Sequence, residues 1–315
     1  MATKLITGGA GFFGTHLARR LMRHDDVRIL DMREPTTDAE FIRGDVRDNA
    51  VIGKALQAVD TVFHLAARLP QSKVGDRELF SVNCDGTAAV LAAAERRNVR
   101  VVHISSSSVF GIPTKVPYTE DDEKNPIGAY GRSKLAAEQL CREYAANGGD
   151  IAVLRPMTIV GPGIYGVFRL CLQFIMRDLP IPILGAGENR LQMVSVHDMV
   201  DACVRAEKRG NGMLFNIGSD DVPTMNTMFH DVIRHVDSRS MLVHLPAPVF
   251  RRVFMAMRAL RVSPLVPEHY HLMDKNFILD TARAKRTLGW KPKLDNTQMI
   301  LDTYRADFQR RQPAL

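Results

Sequence analysis

Short runs of apolar and β-branched residues alternate with stretches of helical period along the first half of the chain. Lys4 to Thr7, Val27 to Asp31, Asp60 to Leu65, Val99 to Ile104 and Ile151 to Leu154 read as strands, and the segments between them are amphipathic. Between Gly11 and Arg23 the apolar face is Phe13, Leu17 and Leu21, which recur every four residues. Strands separated by helices pair in parallel and are covered on both sides, so the pattern predicts an α/β protein with a doubly wound parallel sheet. Beyond Arg155-Pro156 the alternation weakens. Gly161-Pro162-Gly163 and Leu184-Gly185-Ala186-Gly187 break the chain into loops with helices between, which predicts a smaller mixed C-terminal lobe. Two later runs, Met193 to Ser195 and Met213 to Ile217, predict that part of this chain returns to the main sheet. The expected division is residues 1–156, with returning segments about 191–217, and a discontinuous substrate-binding lobe over 157–315.

Composition narrows the class. With 315 residues, 45% hydrophobic and 24% charged, the chain has ample material for a globular core. Its apolar stretches stop well short of the roughly 20 residues that span a bilayer. Met1 leads within a few residues into the first strand run, leaving no visible leader peptide. Cys84, Cys141, Cys171 and Cys203 are too widely spaced for a CxxC metal site or a small disulfide framework. These features together predict a cytoplasmic protein with reduced thiols and no integral membrane segment. The net charge is +7, but Lys and Arg sit beside acids, as in Arg47-Asp48 and Arg142-Glu143, which reads as a solvated surface and not a nucleic-acid face. No metal site is expected: His64 and His103 fall in strand runs, and His230 and His235 lack Cys or acidic partners at ligand spacing.

Thr7-Gly8-Gly9-Ala10-Gly11-Phe12-Phe13-Gly14 follows a strand and opens a helix. Glycines there permit a tight turn, let the backbone approach a pyrophosphate, and let helix and strand pack closely while the helix N-terminus faces the anion. Asp31 ends the second strand 17 residues after Gly14, placed to accept hydrogen bonds from a ribose diol and to repel a 2'-phosphate. The cofactor expected on this Rossmann sheet is therefore NAD. Arg33, two residues on, argues the other way. Asp45, after a third short strand-like step, is either an acceptor for an adenine amino group or a plain loop acid.

Tyr130-Gly131-Arg132-Ser133-Lys134 begins a helical stretch that puts Tyr130 and Lys134 one turn apart on one face. A phenol of pKa about 10 is a poor base at neutral pH. A neighbouring ammonium and a positive nicotinamide ring favour its phenolate, which can exchange a hydroxyl proton while hydride moves to or from the cofactor.

With these residues the chain resembles the extended short-chain dehydrogenase/reductase family, which includes nucleotide-sugar epimerases and dehydratases and the 3β-hydroxysteroid dehydrogenases. The resemblance runs nearly end to end, through Thr7 to Gly14, Gly44-Asp45-Val46, His64 to Ala67, Val82 to Thr87, Ile104 to Gly111, Tyr130 to Lys134, Leu154 to Pro156, Val196-His197-Asp198 and Leu288 to Pro292. It implies that Ser106, five residues before Gly111, completes a catalytic set with Tyr130 and Lys134. The residues alone do not separate Ser106 from Ser105, Ser107 and Ser108. It further implies that Leu65, Ala66 and Ala67 line the cofactor channel, that Asn83 supports that wall, and that Pro156 lies near the nicotinamide. The expected NAD site is thus Gly8, Gly11, Phe12, Phe13, Gly14, Asp31, Asp45, Val46, Leu65, Ala66, Ala67, Asn83 and Pro156, with Tyr130 and Lys134. A homodimer through the helices around Glu78 to Arg97 and Gly128 to Tyr144 is also implied.

Family 4,6-dehydratases carry an Asp-Glu pair after the triad hydroxyl, where this chain has Ser107 and Ser108, so dehydration of that kind is disfavoured. Epimerisation through a transient ketone needs only Tyr130, Lys134, Ser106 and retained NAD, and so does simple dehydrogenation. The family's usual nucleotide grips are altered to Thr158 and Leu191. Arg190, Arg169 or Arg177 could reach a diphosphate instead, since guanidinium binds phosphate bidentately. A nucleotide-sugar substrate, with Ser107, Thr158 and Arg190 near it, is the leading reading. The rival is a dehydrogenase or reductase of an apolar alcohol or ketone, for which the apolar and basic stretch Pro248 to Val262 would cover the substrate or touch an anionic membrane surface, with Pro264 to Tyr270 a loop near the cleft mouth. A non-catalytic dinucleotide-binding protein is disfavoured by the retained Tyr-Lys pair.

Overall fold

The computed structural model describes residues 2–309, except 73, 165 and, apart from Pro248 and Arg252, residues 247–271. The stretch Pro248 to Val262 and the loop Pro264 to Tyr270 therefore lie outside the described residues, those two positions aside.

Glycine and apolar patterning generate the first unit as strand β1 (Thr3–Thr7), a glycine turn, helix α1 (Phe12–Leu21) and β2 (Asp26–Asp31). Then follow β3 (Glu40–Arg43), α2 (Asn49–Ala55) and β4 (Thr61–His64). A long helical run comprises α3 (Asp76–Phe80), a π-helical turn (Ser81–Asp85) and α4 (Gly86–Glu95). It leads to β5 (Arg100–Ile104), a 3-10 turn (Ser107–Phe110), α5 (Ala129–Ala146) and β6 (Ile151–Pro156). The later chain forms β7 (Thr158–Val160), α6 (Val167–Met176), β8 (Ile181–Leu184), β9 (Met193–Ser195), α7 (Val196–Ala206) and β10 (Met213–Ile217). It continues through α8 (Met225–His235), β11 (Leu242–Leu245), α9 (Ala282–Leu288) and α10 (Asn296–Asp307).

Seven strands form one parallel sheet in the order β10-β6-β5-β4-β1-β2-β3. Consecutive strands run outward in both directions from β1 and β4, so the order reverses there and opens a crevice at their C-terminal ends. Of the two later strand runs, Met213–Ile217 joins this sheet beside β6. Met193–Ser195 does not: it pairs with β7 in a separate two-stranded sheet, and β8 pairs with β11 in another.

Each face of the main sheet buries its own core. Ile6, Ile29, Phe63, Val102 and Leu154 face Leu17 and Leu21 of α1, Met199 and Cys203 of α7, and Trp290. Leu5, Leu30, Val62 and Val101 face Ile52 of α2, Val90 and Ala94 of α4, and Cys141 and Tyr144 of α5. A third cluster, including Phe168, Leu172, Ile183, Phe229 and Ile300, packs α6, α8 and α10 with β8. Caps fix several of these helices: Asp48 accepts from Ala50 N and Val51 N, Ser195 accepts from Asp198 N, and Asp295 with Gln298 forms a reciprocal box at α10. No described helix is long and apolar enough to cross a membrane.

Candidate active site

The glycine turn is shaped by what cannot be added to it. A Cβ on Gly14 would lie 2.5 Å from the Gly8 carbonyl and 2.6 Å from Gly9 Cα, and one on Gly8 would lie 2.7 Å from Ala66 N. Gly8 also has φ +75, a left-handed conformation that glycine adopts without strain. The turn thereby brings β1, α1 and the Leu65-Ala66 backbone together. Helix α1 starts at Gly11 with no side-chain cap, leaving the N–H groups of its first turn free to meet an anion. Phe12 packs toward the lobe cluster and Phe13 toward the sheet core.

Asp31 ends β2 beside this turn, and its carboxylate accepts hydrogen bonds from Ala10 N at 3.0 Å and Arg33 N at 2.9 Å. Arg33 thus meets Asp31 through its backbone. The Asp45 carboxylate is gripped by Arg47 Nε at 3.0 and 3.1 Å, and this contact holds its pKa below the ordinary value. Val46 is buried in the core against Gly86. The NAD-shaped features on this side are a bare pyrophosphate cradle and a carboxylate at the tip of the second strand, which fit a dinucleotide.

A chain of hydrogen bonds runs from the cradle to the Tyr-Lys helix. Burial pushes the His64 pKa down to about 3, helped by Lys134, so the ring is neutral. Thr87 Oγ1 donates to Asn83 O at 2.7 Å, so it accepts from His64 Nε2 at 3.0 Å, and His64 Nδ1 then accepts from Thr7 Oγ1 at 2.7 Å. Asn83 is buried within the π-helical turn. Its side chain accepts from Arg68 N and donates to Arg68 O and to Ser133 Oγ, whose hydroxyl donates to Tyr130 O. The residues after Ala67 and the first turn of α5 are tied together by this one amide.

Helix α5 brings Tyr130 and Lys134 to the C-terminal end of β5, Tyr130 near Ser106 and Lys134 against Ile104. Burial raises the pKa of the Tyr130 phenol; Ser106 stands near enough to offset this in part, while its hydroxyl donates to Ser108 Oγ at 3.1 Å. Lys134 is buried and donates from Nζ to Ile104 O at 2.8 Å; burial holds its pKa down to about 8. Among the four serines the geometry distinguishes roles. Ser105 Oγ donates to Glu138 at 2.6 Å inside the core, Ser106 faces Tyr130, Ser107 is buried, and Ser108 N donates to Ser106 Oγ at 3.2 Å. Pro156 ends β6 in register with Ile217.

The substrate-side candidates scatter. Thr158 is exposed at the start of β7, and Arg190 is exposed with its backbone N–H bound to Asn276. Arg169 is not free for a phosphate: it pairs with Asp307 at 3.1 Å and lies over the Phe308 ring. Arg177 is exposed at the end of α6. Sequence reasoning passed over Glu138, Arg155 and the polar partners of His64. The recurrence of Tyr130, Lys134 and Glu138 at four-residue steps on one helix face was the available signal for the first.

Comparison with known proteins agrees with this geometry. Residues 4–218 match the model of the NAD dependent epimerase/dehydratase family. The chain is 32% identical over 275 residues to the UDP-N-acetyl-α-D-glucosaminuronate decarboxylase of Bacillus cytotoxicus, covering 79% of this chain and 84% of the relative. The UDP-glucose 4-epimerase of Thermotoga maritima, solved with UDP-glucose, superposes with a TM-score of 0.81 at 25% identity, over 98% of this chain and 99% of that one. MoeE5, solved with UDP-glucose and NAD, superposes with a TM-score of 0.79 at 27% identity, over 98% and 99%.

Proposed function

The chain belongs to the NAD dependent epimerase/dehydratase family, and we propose that within it the protein is a nucleotide-sugar epimerase acting through Tyr130, Lys134 and Ser106. As a member of that family it is an NAD-dependent enzyme. The observation that carries the reading is the placing of Tyr130 near Ser106 and of Lys134 against Ile104, with serines, and no carboxylate, at the two positions after Ser106. Ser106 holds a sugar hydroxyl against the phenol, and Tyr130 as phenolate removes the hydroxyl proton while hydride leaves the same carbon. NAD, when bound, supplies the hydride acceptor and donor. Lys134, one turn along α5 from Tyr130, is the cation that favours the phenolate when the proton is exchanged. When the ketone presents its other face, hydride returns to carbon, Tyr130 returns the proton to oxygen, and the cycle balances without a further acid. Expulsion of a β-hydroxyl would need an acid and a base that Ser107 and Ser108 do not supply.

The nucleotide-sugar substrate is supported by the UDP-sugar names of the relatives, which also weigh against an apolar alcohol or ketone. Decarboxylation of a nucleotide-linked uronic acid is a second reading, favoured by the Bacillus cytotoxicus relative. It begins with the same oxidation. Incubation of the purified protein and NAD with UDP-glucose, UDP-N-acetylglucosamine and their uronic acids, followed by proton NMR, separates the readings. A new sugar isomer with no NADH build-up is expected. Loss of carbon dioxide from a uronic acid would replace the epimerase reading, and stoichiometric NADH would return a simple dehydrogenase.

A further inference from the structure

Beside Tyr130, Lys134 and Ser106, read above as the reacting set, stands the fully buried carboxylate of Glu138. We propose that Glu138 is a positioning residue for the reaction, fixing both the seat of Ser106 against the catalytic helix and the charge of Lys134.

The geometric part follows from its partners. Glu138 lies on α5 one turn beyond Lys134, and its side chain is 0% exposed, as is that of Arg155. Oε1 accepts from Ser105 Oγ at 2.6 Å and from Arg155 Nε at 3.0 Å, and Oε2 accepts from Arg155 Nη2 at 2.7 Å. Ser105 directly precedes Ser106. Arg155 in turn donates to Asn216 Oδ1 at 3.3 Å and lies 4.7 Å from the centroid of the Phe110 ring. Ser106 caps the short turn that ends at Phe110, so it is gripped on one side through Ser105 and on the other through Phe110 and Arg155. Both grips end on the Glu138 carboxylate.

The electrostatic part follows from counting the charges that face Lys134. His64 on β4 and His103 on β5 are neutral, because burial drives both pKa values down. Cys141 faces it from the same helix, but burial pushes the thiol's pKa far above neutral and it carries no charge. Tyr130 is protonated in the resting state, burial having raised its pKa. Arg142 approaches Glu138 at 3.9 Å from the half-exposed side, and Lys124 stands near Arg155 and Arg142. Among the described residues Glu138 is thus the anion that faces Lys134, and it also pairs with buried Arg155, while the buried Glu120 carboxylate stands beyond Asn216, whose backbone N–H it accepts. A guanidinium does not release its proton in this range, so if the carboxylate is neutralised Lys134 is the group that yields.

The test uses the full chain and three variants, Glu138→Gln, Glu138→Asp and Ser105→Ala, with two independent readouts. Carbon-13 NMR of lysine Cε, assigned with Lys134→Arg, follows the Lys134 titration without any substrate. Glu138→Gln should lower its midpoint by about one to three pH units, while Glu138→Asp, which keeps the charge, should leave it near that of the wild type. Turnover of UDP-glucose should fall about tenfold or more in kcat with KM little changed in both Glu138→Asp and Ser105→Ala. The alkaline limb of the pH–rate profile should move down only in Glu138→Gln. A folded Glu138→Gln with an unmoved Lys134 midpoint would overturn the proposal, and so would wild-type kcat in both Ser105→Ala and Glu138→Asp. Should the wild type leave UDP-glucose untouched, the epimerase reading on that sugar fails, while the lysine titration still decides the role of Glu138.

Discussion

Two regions converge on the same crevice and are built by opposite means. The cradle at Gly8 to Gly14 works by lacking side chains: its shape is set by backbone atoms about 2.5 to 2.8 Å from where a Cβ would stand. The buried face of α5 works by concentrating side chains that a core ordinarily excludes, with Lys134, Glu138 and Arg155 at 3% exposure or less. In the first, steric room is the specification, and one methyl group can cancel it. In the second, mutual neutralisation is the specification, and removing one partner exposes the others to the full cost of burial. The difference teaches where tolerance lies. The cradle admits many residues around it but none in it, whereas the α5 face admits changes only in matched pairs.

The largest effect is expected at the point where the second region touches the reacting atoms. Tyr130→Phe removes the one hydroxyl proposed to exchange the proton and keeps the ring. Turnover of whichever nucleotide sugar the wild type accepts should fall by about 10² to 10⁴, while NAD binding by calorimetry stays within a few-fold. Near-normal kcat would remove Tyr130 from the mechanism.

Breaking the first region should instead cost binding and stability together. In Gly14→Ala the new methyl meets the Gly8 carbonyl at 2.5 Å and Gly9 Cα at 2.6 Å, backbone atoms that move only if the turn opens. A loss of about 1 to 3 kcal/mol in denaturant unfolding is expected, with NAD affinity reduced by at least about tenfold. Gly53→Ala is the matched control: it lies within α2, where the nearest atom to a new Cβ is 3.9 Å away, and should gain about 0.5 to 1 kcal/mol. Equal outcomes for the two substitutions would show that the cradle is not close-packed.

The same contrast explains what was readable in the sequence. The glycine turn was legible because its constraint is local: strand, turn and helix are contiguous, and Asp31 follows at the end of the next strand. The Tyr130-Lys134 pair was legible for the same reason, since one helical turn fixes their geometry. Glu138 shares that helix, but its partners do not. Arg155 arrives on β6 and Asn216 on β10, and only the order of the sheet brings them to it. The four serines could not be separated by spacing, because which of them faces the core depends on how β5 pairs with β4 and β6. The Met193–Ser195 run was visible as a strand, yet its partner β7 is a three-residue element that no periodicity marks. Strand β8 was missed because Pro182 interrupts a four-residue run.

His64 and His103 sharpen the comparison within the α5 face itself. They are register neighbours on β4 and β5, with ring centroids 5.2 Å apart. His64 is bonded at both nitrogens, whereas neither nitrogen of His103 has a partner among the described residues. An unpaired buried polar group costs about 1 to 3 kcal/mol, so an apolar side chain of similar reach is tolerated there and not at His64. Burial, reinforced by Lys134 and His64, also holds the His103 pKa well below its ordinary 6.5. Below that value the unfolded chain binds a proton that the folded ring refuses, so folding stability falls as pH drops, by at most about 1.4 kcal/mol per pH unit for one such group. His103→Leu should therefore unfold no earlier than the wild type in denaturant at pH 7, and its loss of stability between pH 7 and pH 5 should be smaller by about 1 to 2 kcal/mol. An unchanged pH dependence would mean that the ring takes up a proton in the folded state, and the neighbouring Lys134 would then share this face with a charged imidazole instead of a neutral one.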